Sequence, residues 1–518
     1  MTLATPHVAE NGRTAEPSDA SAIEVRDPAR GTLIGTVPRQ PRAEVEAAVA
    51  RARAAQPAWA ELPVRERGAL LKSARRRFVA ARGEIIDLLA RETGKTRFDA
   101  TGEAMAVCLD VRSVCRYAAR ALAPRTVSRG IPFGKRRLVL HKPHGVVGVI
   151  GPWNAPLTLT LGDALYALAA GNTVVVKPSE VTPLAVSRAV RAMSEALPSG
   201  VLQVVNGDRP TGAALVDLVD MIAVTGSPQT GRRVMERAAE RLTPVLLELG
   251  GKDPMIVLPD ADLDKAAEAA VWGSMSNAGQ ACVSIERCYV HASIYDRFVD
   301  KVVAEAQGVT FGYEGAHIGA ITLPAQVDII KKHLTDAADK GAKFLVGGPD
   351  KVQGNVVPPT VMVDVTHDML VMKEETFGPI LPILKVPDSE EALRLANQTS
   401  YGLGAAIFGK AHVRELAERI VSGMTTINTV LAFGSVPGLP FGGIGESGFG
   451  RIHGDEGLRE FSRTKSVVEQ RFAIPGMNVF TFKLPANAYE QFKGMAEKLY
   501  GSAVLDKASE VLKKLHLR

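Results

Sequence analysis

The sequence predicts an α/β fold built around parallel β-sheets. Two observations lead to this class. Short, continuous runs of apolar and β-branched residues, such as GVVGVIG (145–151) and VVVK (174–177), are typical of strands buried on both faces. Segments with apolar residues at three- and four-residue steps alternate with these runs and are typical of helices. The length of 518 residues suits two or three domains.

The predicted elements follow one another in a regular order. Amphipathic helices come first, over residues 43–60 and 65–93. Apolar strands come next, within segments 145–151, 173–176, 201–207, 221–225 and 244–251, with helices between them. After Gly251 a second α/β pattern begins, with a helix over 266–280, a strand over 286–292 and a helix followed by a strand across 327–348. This second pattern indicates a second α/β domain.

Composition excludes several classes of protein. Hydrophobic residues make up 46% and charged residues 23%, which is ordinary for a globular protein. The net charge of +6 is a mild bias over 62 basic and 56 acidic residues, so nucleic acid is not an expected partner. Four cysteines do not form a disulfide framework, and their spacing predicts no metal site. Cys108 and Cys115, seven residues apart on one helix face, are expected core thiols.

The ends of the chain carry no targeting or membrane signal that we recognise. Residues 1–22 are polar and rich in small side chains, and they lack the apolar stretch of a signal peptide, so we expect a flexible tail. No apolar run reaches the roughly 18 residues that a membrane span needs. We therefore expect a soluble, cytoplasmic protein.

Two strands end in motifs that suit a nucleotide. VVVKPSE places Lys177 and Glu180 after one strand, where they could hold ribose hydroxyls or form a surface ion pair. VTGSPQTG places Gly226 and Ser227 between a strand and a helix, where free amides could bind phosphate or Ser227 could simply cap the helix. The usual GxGxxG fingerprint is absent.

Three further residues have the chemistry of a catalytic site. Glu248 ends an apolar strand in LLELGGK, where burial would raise its pKa and suit it as a general base. Asn154, between prolines in GPWNAP, could donate to an oxyanion or merely shape a turn. NAGQACVSIERCYV contains Cys282 and Cys288, and either could be a nucleophile or a buried thiol.

The set and order of these motifs resemble those of the aldehyde dehydrogenase superfamily. The motifs PWNAP, GNTVVVKPSE, VTGS, ELGGK, GQAC, EETFGP and PFGG followed by SGFGR occur in that family's order and spacing, over roughly residues 25–470. ELGGK and GQAC together are the most specific. The family's nucleotide-binding domain is of Rossmann type, its catalytic domain is α/β, and a small β-flap builds the oligomer.

The resemblance implies a division of this chain. The nucleotide-binding domain is expected over residues 23–124 and 146–250, with 443–465 returning to it, and the catalytic domain over 251–442. An oligomerisation flap is expected over 125–145 and 466–486, giving a homodimer or homotetramer. Residues 487–518 extend past the family core as an amphipathic helix that packs on the body or a neighbouring subunit, with a membrane-surface helix as the alternative.

The resemblance also implies a mechanism. Cys282 matches the family's nucleophile, which adds to the aldehyde carbonyl, while Cys288 is structural. Asn154 and the backbone amide of Cys282 hold the oxyanion, hydride leaves for the nicotinamide, and Glu248 activates the water that hydrolyses the thioester. The residues expected at the cofactor are Trp153, Lys177, Ser179, Glu180, Gly226, Ser227, Glu375 and Phe377, and no metal is expected.

The same motifs bear on cofactor and substrate. Glu180 favours NAD, because its carboxylate repels the 2′-phosphate of NADP, although NADP use stays open. Glu248 favours hydrolysis over transfer to coenzyme A. The positions expected near the substrate tunnel are small or apolar, which favours a hydrophobic aliphatic or aromatic aldehyde over succinate semialdehyde: Ala155, Thr158, Leu161, Val283 and Ser284. A cysteine esterase or acyl transferase, or an inactive scaffold, is the alternative from another class.

Overall fold

The computed structural model describes residues 21–127, 135–312, 315–472 and 481–500. Within them the strands are β1 (Ala22–Arg26), β2 (Leu33–Pro38), β3 (Arg125–Thr126), β4 (Lys135–Pro143), β5 (Val146–Ile150), β6 (Thr173–Lys177), β7 (Leu202–Val204), β8 (Met221–Thr225), β9 (Val245–Glu248), β10 (Asp253–Val257), β11 (Ile285–His291), β12 (Lys343–Val346), β13 (Thr360–Val363), β14 (Ile380–Val386), β15 (Ala406–Phe408), β16 (Thr426–Ile427), β17 (Gly448–Phe449) and β18 (Ser462–Gln470). The α-helices are α1 (Arg42–Glu61), α2 (Val64–Ala80), α3 (Arg82–Thr93), α4 (Arg97–Ala121), α5 (Pro156–Ala169), α6 (Leu184–Ser194), α7 (Arg209–Leu218), α8 (Pro228–Ala239), α9 (Leu263–Met275), α10 (Tyr295–Gln307), α11 (Pro324–Asp339), α12 (Leu370–Lys373), α13 (Ser389–Ala396), α14 (Val413–Arg419), α15 (Gly454–Glu460) and α16 (Ala488–Tyr500).

Six strands form one sheet in the order β17-β9-β8-β5-β6-β7. The strands from β9 to β7 are parallel to their neighbours, and β17 is antiparallel to β9. Their apolar side chains are buried because helices cover both faces of the sheet. The chain runs from β5 to β6 and β7 on one side and then to β8 and β9 on the other. Open α/β sheets bind ligands at the carboxyl ends of the strands beside such a reversal.

A second sheet has seven strands in the order β12-β13-β14-β11-β10-β15-β16. Its strands are parallel except for β12, which is antiparallel to β13. The order again reverses beside one strand, β10, which begins five residues after β9 ends. The loop that carries Cys282 leads directly into β11. The predicted α/β class with parallel sheets is therefore confirmed.

One segment that the sequence predicts as a single helix forms two helices. The segment 65–93 was expected to be continuous, but α2 ends at Ala80 and α3 begins at Arg82. The break falls next to Gly83, whose helix propensity is low. None of the helices in the described ranges is long and apolar enough to cross a membrane.

The chain divides into two compact units. The first takes its described residues from 1–123 and 141–464, and the second from 124–140 and 465–518. A separate three-stranded sheet has the order β18-β4-β3. Of the expected N-terminal tail, residues 1–20 lie outside the described residues, and β1 begins at Ala22. Of the expected C-terminal extension, α16 is described, while residues 501–518 lie outside.

Candidate active site

The first unit contains a cavity of about 1090 Å³ at the carboxyl ends of β5, β6, β8 and β9. The catalytic and cofactor-binding residues predicted from the sequence all line it, namely Trp153, Asn154, Lys177, Ser179, Glu180, Gly226, Ser227, Glu248, Cys282, Glu375 and Phe377. Eight of these residues end or follow strands of the six-stranded sheet, whose loops leave the same edge, whereas Cys282, Glu375 and Phe377 precede β11 and β14 of the second sheet. The described residues contain no cluster of three or more His, Cys, Asp or Glu side chains able to hold a metal ion.

Asn154 lies in the loop between β5 and α5 and is buried. Its side-chain amide donates to the backbone carbonyl of Gln280 at 3.0 Å. Its own backbone carbonyl accepts from Lys95 Nζ at 2.7 Å and from Asn277 Nδ2 at 3.2 Å. The Asn154 side chain is therefore directed towards the loop that carries Cys282.

The loop before Cys282 has an unusual backbone. The helix predicted over 266–280 ends at Met275, and a 3₁₀ turn follows over Ser276–Gly279. Three successive residues there have positive φ: Asn277 at 52°, Ala278 at 55° and Gly279 at 71°. The side chain of Gln280 fixes the turn, since its Nε2 donates to Asn277 O at 3.1 Å and its Oε1 accepts from Thr322 N at 2.9 Å. These bonds hold Cys282 at the cavity wall.

The two cysteines of this segment differ in setting. Cys282 lines the cavity, whereas Cys288 lies on β11 and is fully buried among apolar side chains. Burial raises the pKa of the Cys282 thiol well above its ordinary value, and the negative charge of Glu248 raises it further. Burial likewise raises the pKa of Cys288, which does not reach the cavity. Only Cys282 is placed to meet a substrate there.

Glu248 ends β9 beside Cys282. Its side chain is buried, and neither carboxyl oxygen has a hydrogen-bond partner among the described residues. Burial raises the pKa of Glu248 to about 8, the neighbouring thiol of Cys282 lowers it, and the charges of Asp163 and Asp253 raise it. Once ionised, a carboxylate with such a pKa is a stronger base than an ordinary glutamate.

Glu375 and Phe377 lie on a loop that a buried ion pair supports. Lys252 Nζ contacts Glu286 Oε2 at 2.5 Å, and the same carboxylate accepts from the backbone amide of Phe377 at 2.8 Å. Glu375 Oε1 accepts from Gly251 N at 2.9 Å, and burial raises the pKa of Glu375 to about 8. The Phe377 ring meets Trp153 edge-on, with 5.4 Å between ring centroids.

Lys177, Ser179 and Glu180, at the end of β6 and just after it, are polar groups of the same cavity. Lys177 Nζ pairs with Glu180 Oε2 at 2.9 Å, the lysine being buried and the glutamate 43% exposed. Burial raises the pKa of Glu180, but the charge of Lys177 and local hydrogen bonds outweigh it and leave the pKa lowered. Glu180 is thus held ionised and accessible. Ser179 is buried, and its hydroxyl accepts from Val181 N at 3.2 Å.

Gly226 and Ser227 form the turn between β8 and α8. The amide of Gly226 donates to the backbone carbonyl of Glu248 at 3.1 Å, which ties this turn to the end of β9. Ser227 caps α8, its hydroxyl accepting from Thr230 N at 3.2 Å. Ser227 therefore does cap the helix, and Ser227, Pro228 and Thr230 at the start of α8 line the cavity.

Several supporting residues were not predicted. The most prominent are Lys95, Glu103, Asn277, Lys252 and Glu286, which hold the loops of Asn154, Cys282 and Phe377. The motif ETGK (92–95) just after an amphipathic helix was the available signal for Lys95. The positions predicted near a substrate tunnel do not line this cavity, and Leu161 and Ser284 are buried.

Comparison with known proteins decides the family. A family model described as "Aldehyde dehydrogenase family" matches residues 15–467. The chain belongs to the aldehyde dehydrogenase family. The resemblance inferred from the motifs is thereby confirmed, together with the assignment to aldehyde-oxidising oxidoreductases.

Individual relatives agree with this assignment. The chain is 39% identical over 491 residues to 4,4'-diapolycopene aldehyde oxidase of Methylomonas sp, covering 93% of this chain and 92% of that protein. An aldehyde dehydrogenase of Mycobacterium tuberculosis, solved in complex with NAD+, matches with a TM-score of 0.82 and 35% identity over 89% of this chain and 98% of that one. A succinate-semialdehyde dehydrogenase of Burkholderia pseudomallei matches with a TM-score of 0.83 and 34% identity over 88% and 95%. The predicted aldehyde dehydrogenase fold is confirmed.

Proposed function

We propose that this aldehyde dehydrogenase oxidises a hydrophobic aldehyde to its carboxylic acid with NAD, by way of a covalent intermediate on Cys282. The observation that carries the proposal is the meeting of three groups in one cavity: the Cys282 thiol, the Glu248 carboxyl and the Asn154 amide. The net reaction is aldehyde, NAD+ and water giving carboxylic acid, NADH and a proton. Water supplies the second carboxyl oxygen.

Cys282 is the proposed nucleophile. Its sulfur adds to the aldehyde carbonyl carbon, and the thiol proton leaves for Glu248 or solvent. The oxygen becomes an oxyanion, which the Asn154 side chain and the Cys282 amide stabilise. Loss of hydride from this carbon needs an acceptor, which bound NAD would supply. The product on the enzyme is a thioester of Cys282.

Glu248 is the proposed general base for the second half of the reaction. Its carboxyl lies beside Cys282, and a pKa of about 8 makes its ionised form a stronger base towards water than an ordinary carboxylate. The water attacks the thioester carbonyl, the carbon–sulfur bond breaks and the thiol is restored. Buried carboxyl oxygens without hydrogen-bond partners leave this base free for the incoming water.

The residues of the cavity fit a dinucleotide. Lys177 and Glu180 are proposed to hold the adenosine ribose, Gly226 and Ser227 the pyrophosphate, and Glu375 the nicotinamide ribose. Trp153, Ser179 and Phe377 are proposed to pack beside the cofactor. The location at the strand-order reversal and the first turn of α8 support this placement. Glu180, ionised and accessible, favours NAD, and Arg209 in the same cavity leaves NADP possible.

The names of two similar proteins suggest two classes of substrate for this chain. One protein is named for diapolycopene aldehyde and the other for succinate semialdehyde. We favour a hydrophobic aliphatic or aromatic aldehyde, because the two neighbours of Cys282 in the chain, Ala281 and Val283, are apolar and half-buried and carry no charge that would bind a carboxylate. Succinate semialdehyde is the alternative. Initial rates with hexanal, benzaldehyde and succinate semialdehyde, each with NAD and with NADP, distinguish them.

We further propose that the protein is a homodimer or homotetramer. The expected flap coincides in part with β3, β4 and β18, and most side chains of β18 are exposed. Exposed strands of this kind are suited to pairing with a second copy. Light scattering coupled to size-exclusion chromatography measures the molecular mass, and a monomer would contradict this proposal.

A further inference from the structure

A buried ion pair lies beneath the loop that carries Asn154. Lys95 follows the end of α3, Glu103 lies on α4, and their side chains are 2% and 9% exposed. The Lys95 ammonium contacts one carboxylate oxygen of Glu103. Neither residue lines the cavity described above. A buried pair of this kind needs partners for its remaining hydrogen-bonding groups.

Those partners are Asn154 itself and two residues that follow it. Lys95 Nζ donates to the backbone carbonyl of Asn154 itself, at 2.7 Å. The second oxygen of Glu103 accepts from Leu157 N at 3.0 Å and from Thr158 N at 3.2 Å. These two amides belong to the first turn of α5, where backbone N–H groups have no carbonyl partner within the helix. One ion pair thus fixes the carbonyl of Asn154 and the helix that follows it.

The fixed backbone determines where the Asn154 amide can reach. Asn154 Nδ2 donates to Gln280 O at 3.0 Å, two residues before Cys282. Asn277 Nδ2 joins the two loops, since it donates both to Asn154 O at 3.2 Å and to Gln280 O at 3.0 Å. The distance between the oxyanion donor and the nucleophile loop is therefore set by Lys95, Glu103 and Asn277, none of which lines the cavity.

We infer that Lys95 and Glu103 are positioning residues that act on catalysis through Asn154, by holding its amide at the oxyanion of the Cys282 adduct. The inference rests on the proposed function. Small errors in the placement of such a donor are costly, and a displacement of about 1 Å can lower a rate about a hundredfold. A residue that serves only stability would instead lower the amount of folded protein. Its replacement would then change kcat by the same factor whether or not Asn154 is present.

A double-mutant cycle tests this dependence. Lys95→Met, Asn154→Ala and the double variant are compared for kcat and KM with hexanal and NAD, and for hydrolysis of p-nitrophenyl acetate without cofactor. We expect Lys95→Met to lower kcat about tenfold to a hundredfold with little change in KM. In the Asn154→Ala background the same change should cost less than about threefold, because the donor it positions is gone.

Two controls separate positioning from structural damage. Alkylation of Cys282 by iodoacetamide needs no oxyanion donor, so its rate in Lys95→Met should stay within about twofold of wild type. Glu92→Gln alters a matched buried glutamate, which accepts from Leu184 N at 2.8 Å and Ala185 N at 2.9 Å at the start of α6. Its effect on kcat should add to that of Asn154→Ala. If Lys95→Met does not fold, the cycle is run with Glu103→Gln, which keeps an acceptor for one amide.

The outcomes are distinct. An equal loss from Lys95→Met in both backgrounds, or a folded variant with unchanged kcat, would overturn the inference. If the wild type oxidises no aldehyde but hydrolyses the ester with the expected non-additivity, the proposed function fails and the positioning role stands. A wild type without either activity would overturn both.

Discussion

Gly251 lies directly against the backbone carbonyl of Cys282. A Cβ atom at position 251 would overlap that oxygen, and a Cβ atom on the neighbouring Gly250 would overlap the Glu375 carboxylate. The two glycines of ELGGK therefore let the chain after Glu248 pass between the candidate nucleophile and Glu375. The motif joins three parts of the site that lie far apart in the sequence.

Gly251→Ala should displace the Cys282 loop. We expect kcat to fall at least about tenfold, because the loop must move to relieve the overlap and the thiol moves with it. Gly83→Ala is the matched control, since a Cβ atom at that helical position has no atom within 4 Å. The control should retain wild-type kcat and gain slightly in thermal stability. Full activity in Gly251→Ala would show that the contact with Cys282 has no catalytic consequence.

Glu248→Gln should separate the two halves of the reaction. An amide cannot take a proton from water, so the thioester should accumulate after one turnover. Stopped-flow absorbance should show a burst of about one NADH per site, followed by a steady rate about 10² to 10⁴ times below wild type. Glu268→Gln, on the exposed face of α9, is the control. A variant that loses the burst and the steady rate together would place Glu248 in the first half instead.

The pKa of Cys282 gives a second signature. Burial and the charge of Glu248 both raise it, so alkylation by iodoacetamide should be slow at pH 7 and should accelerate as the pH rises towards 9 and beyond. Removing the negative neighbour favours the thiolate, so Glu248→Gln should alkylate several-fold faster at pH 8. Rates are followed by mass spectrometry, with Cys282→Ala as the blank. Slower alkylation in Glu248→Gln would mean that Glu248 activates the thiol as a base.

Glu180 should control the choice of cofactor. Glu180→Gln removes the charge that repels a 2′-phosphate and leaves Lys177 and Arg209 in the cavity. We expect the ratio of kcat/KM for NADP to that for NAD to rise about tenfold or more. Glu195→Gln, at an exposed position after α6, should leave the ratio unchanged. A ratio that does not move in Glu180→Gln would place the determinant elsewhere.

The sequence predicted the structure best at the buried strands and at the motifs that directly follow them. Continuous apolar runs identified the buried strands β5, β6 and β8, because strands covered on both faces have few polar residues. The motifs at their carboxyl ends were therefore expected at one edge of the sheet, and Lys177, Gly226 and Glu248 do meet there. Periodicity predicted the helices but placed their ends poorly, as in the break between α2 and α3.

The remaining features depend on contacts between distant segments. The positive φ angles of Asn277 and Ala278 arise where Gln280 bonds to Thr322, and no local pattern predicts that partner. The pairing of Lys95 with Glu103 depends on how α3 and α4 pack. Leu161 faces the core because α5 is buried on nearly every side, which its sequence alone did not show.

The most direct test of the account follows the absorbance of reduced cofactor in purified wild-type protein and in Cys282→Ala. Hexanal, benzaldehyde and succinate semialdehyde are each supplied with NAD and with NADP. We expect turnover of hexanal or benzaldehyde with NAD and its complete loss in Cys282→Ala. Oxidation that persists without the Cys282 thiol, or wild-type protein that binds NAD and oxidises no aldehyde, would contradict it.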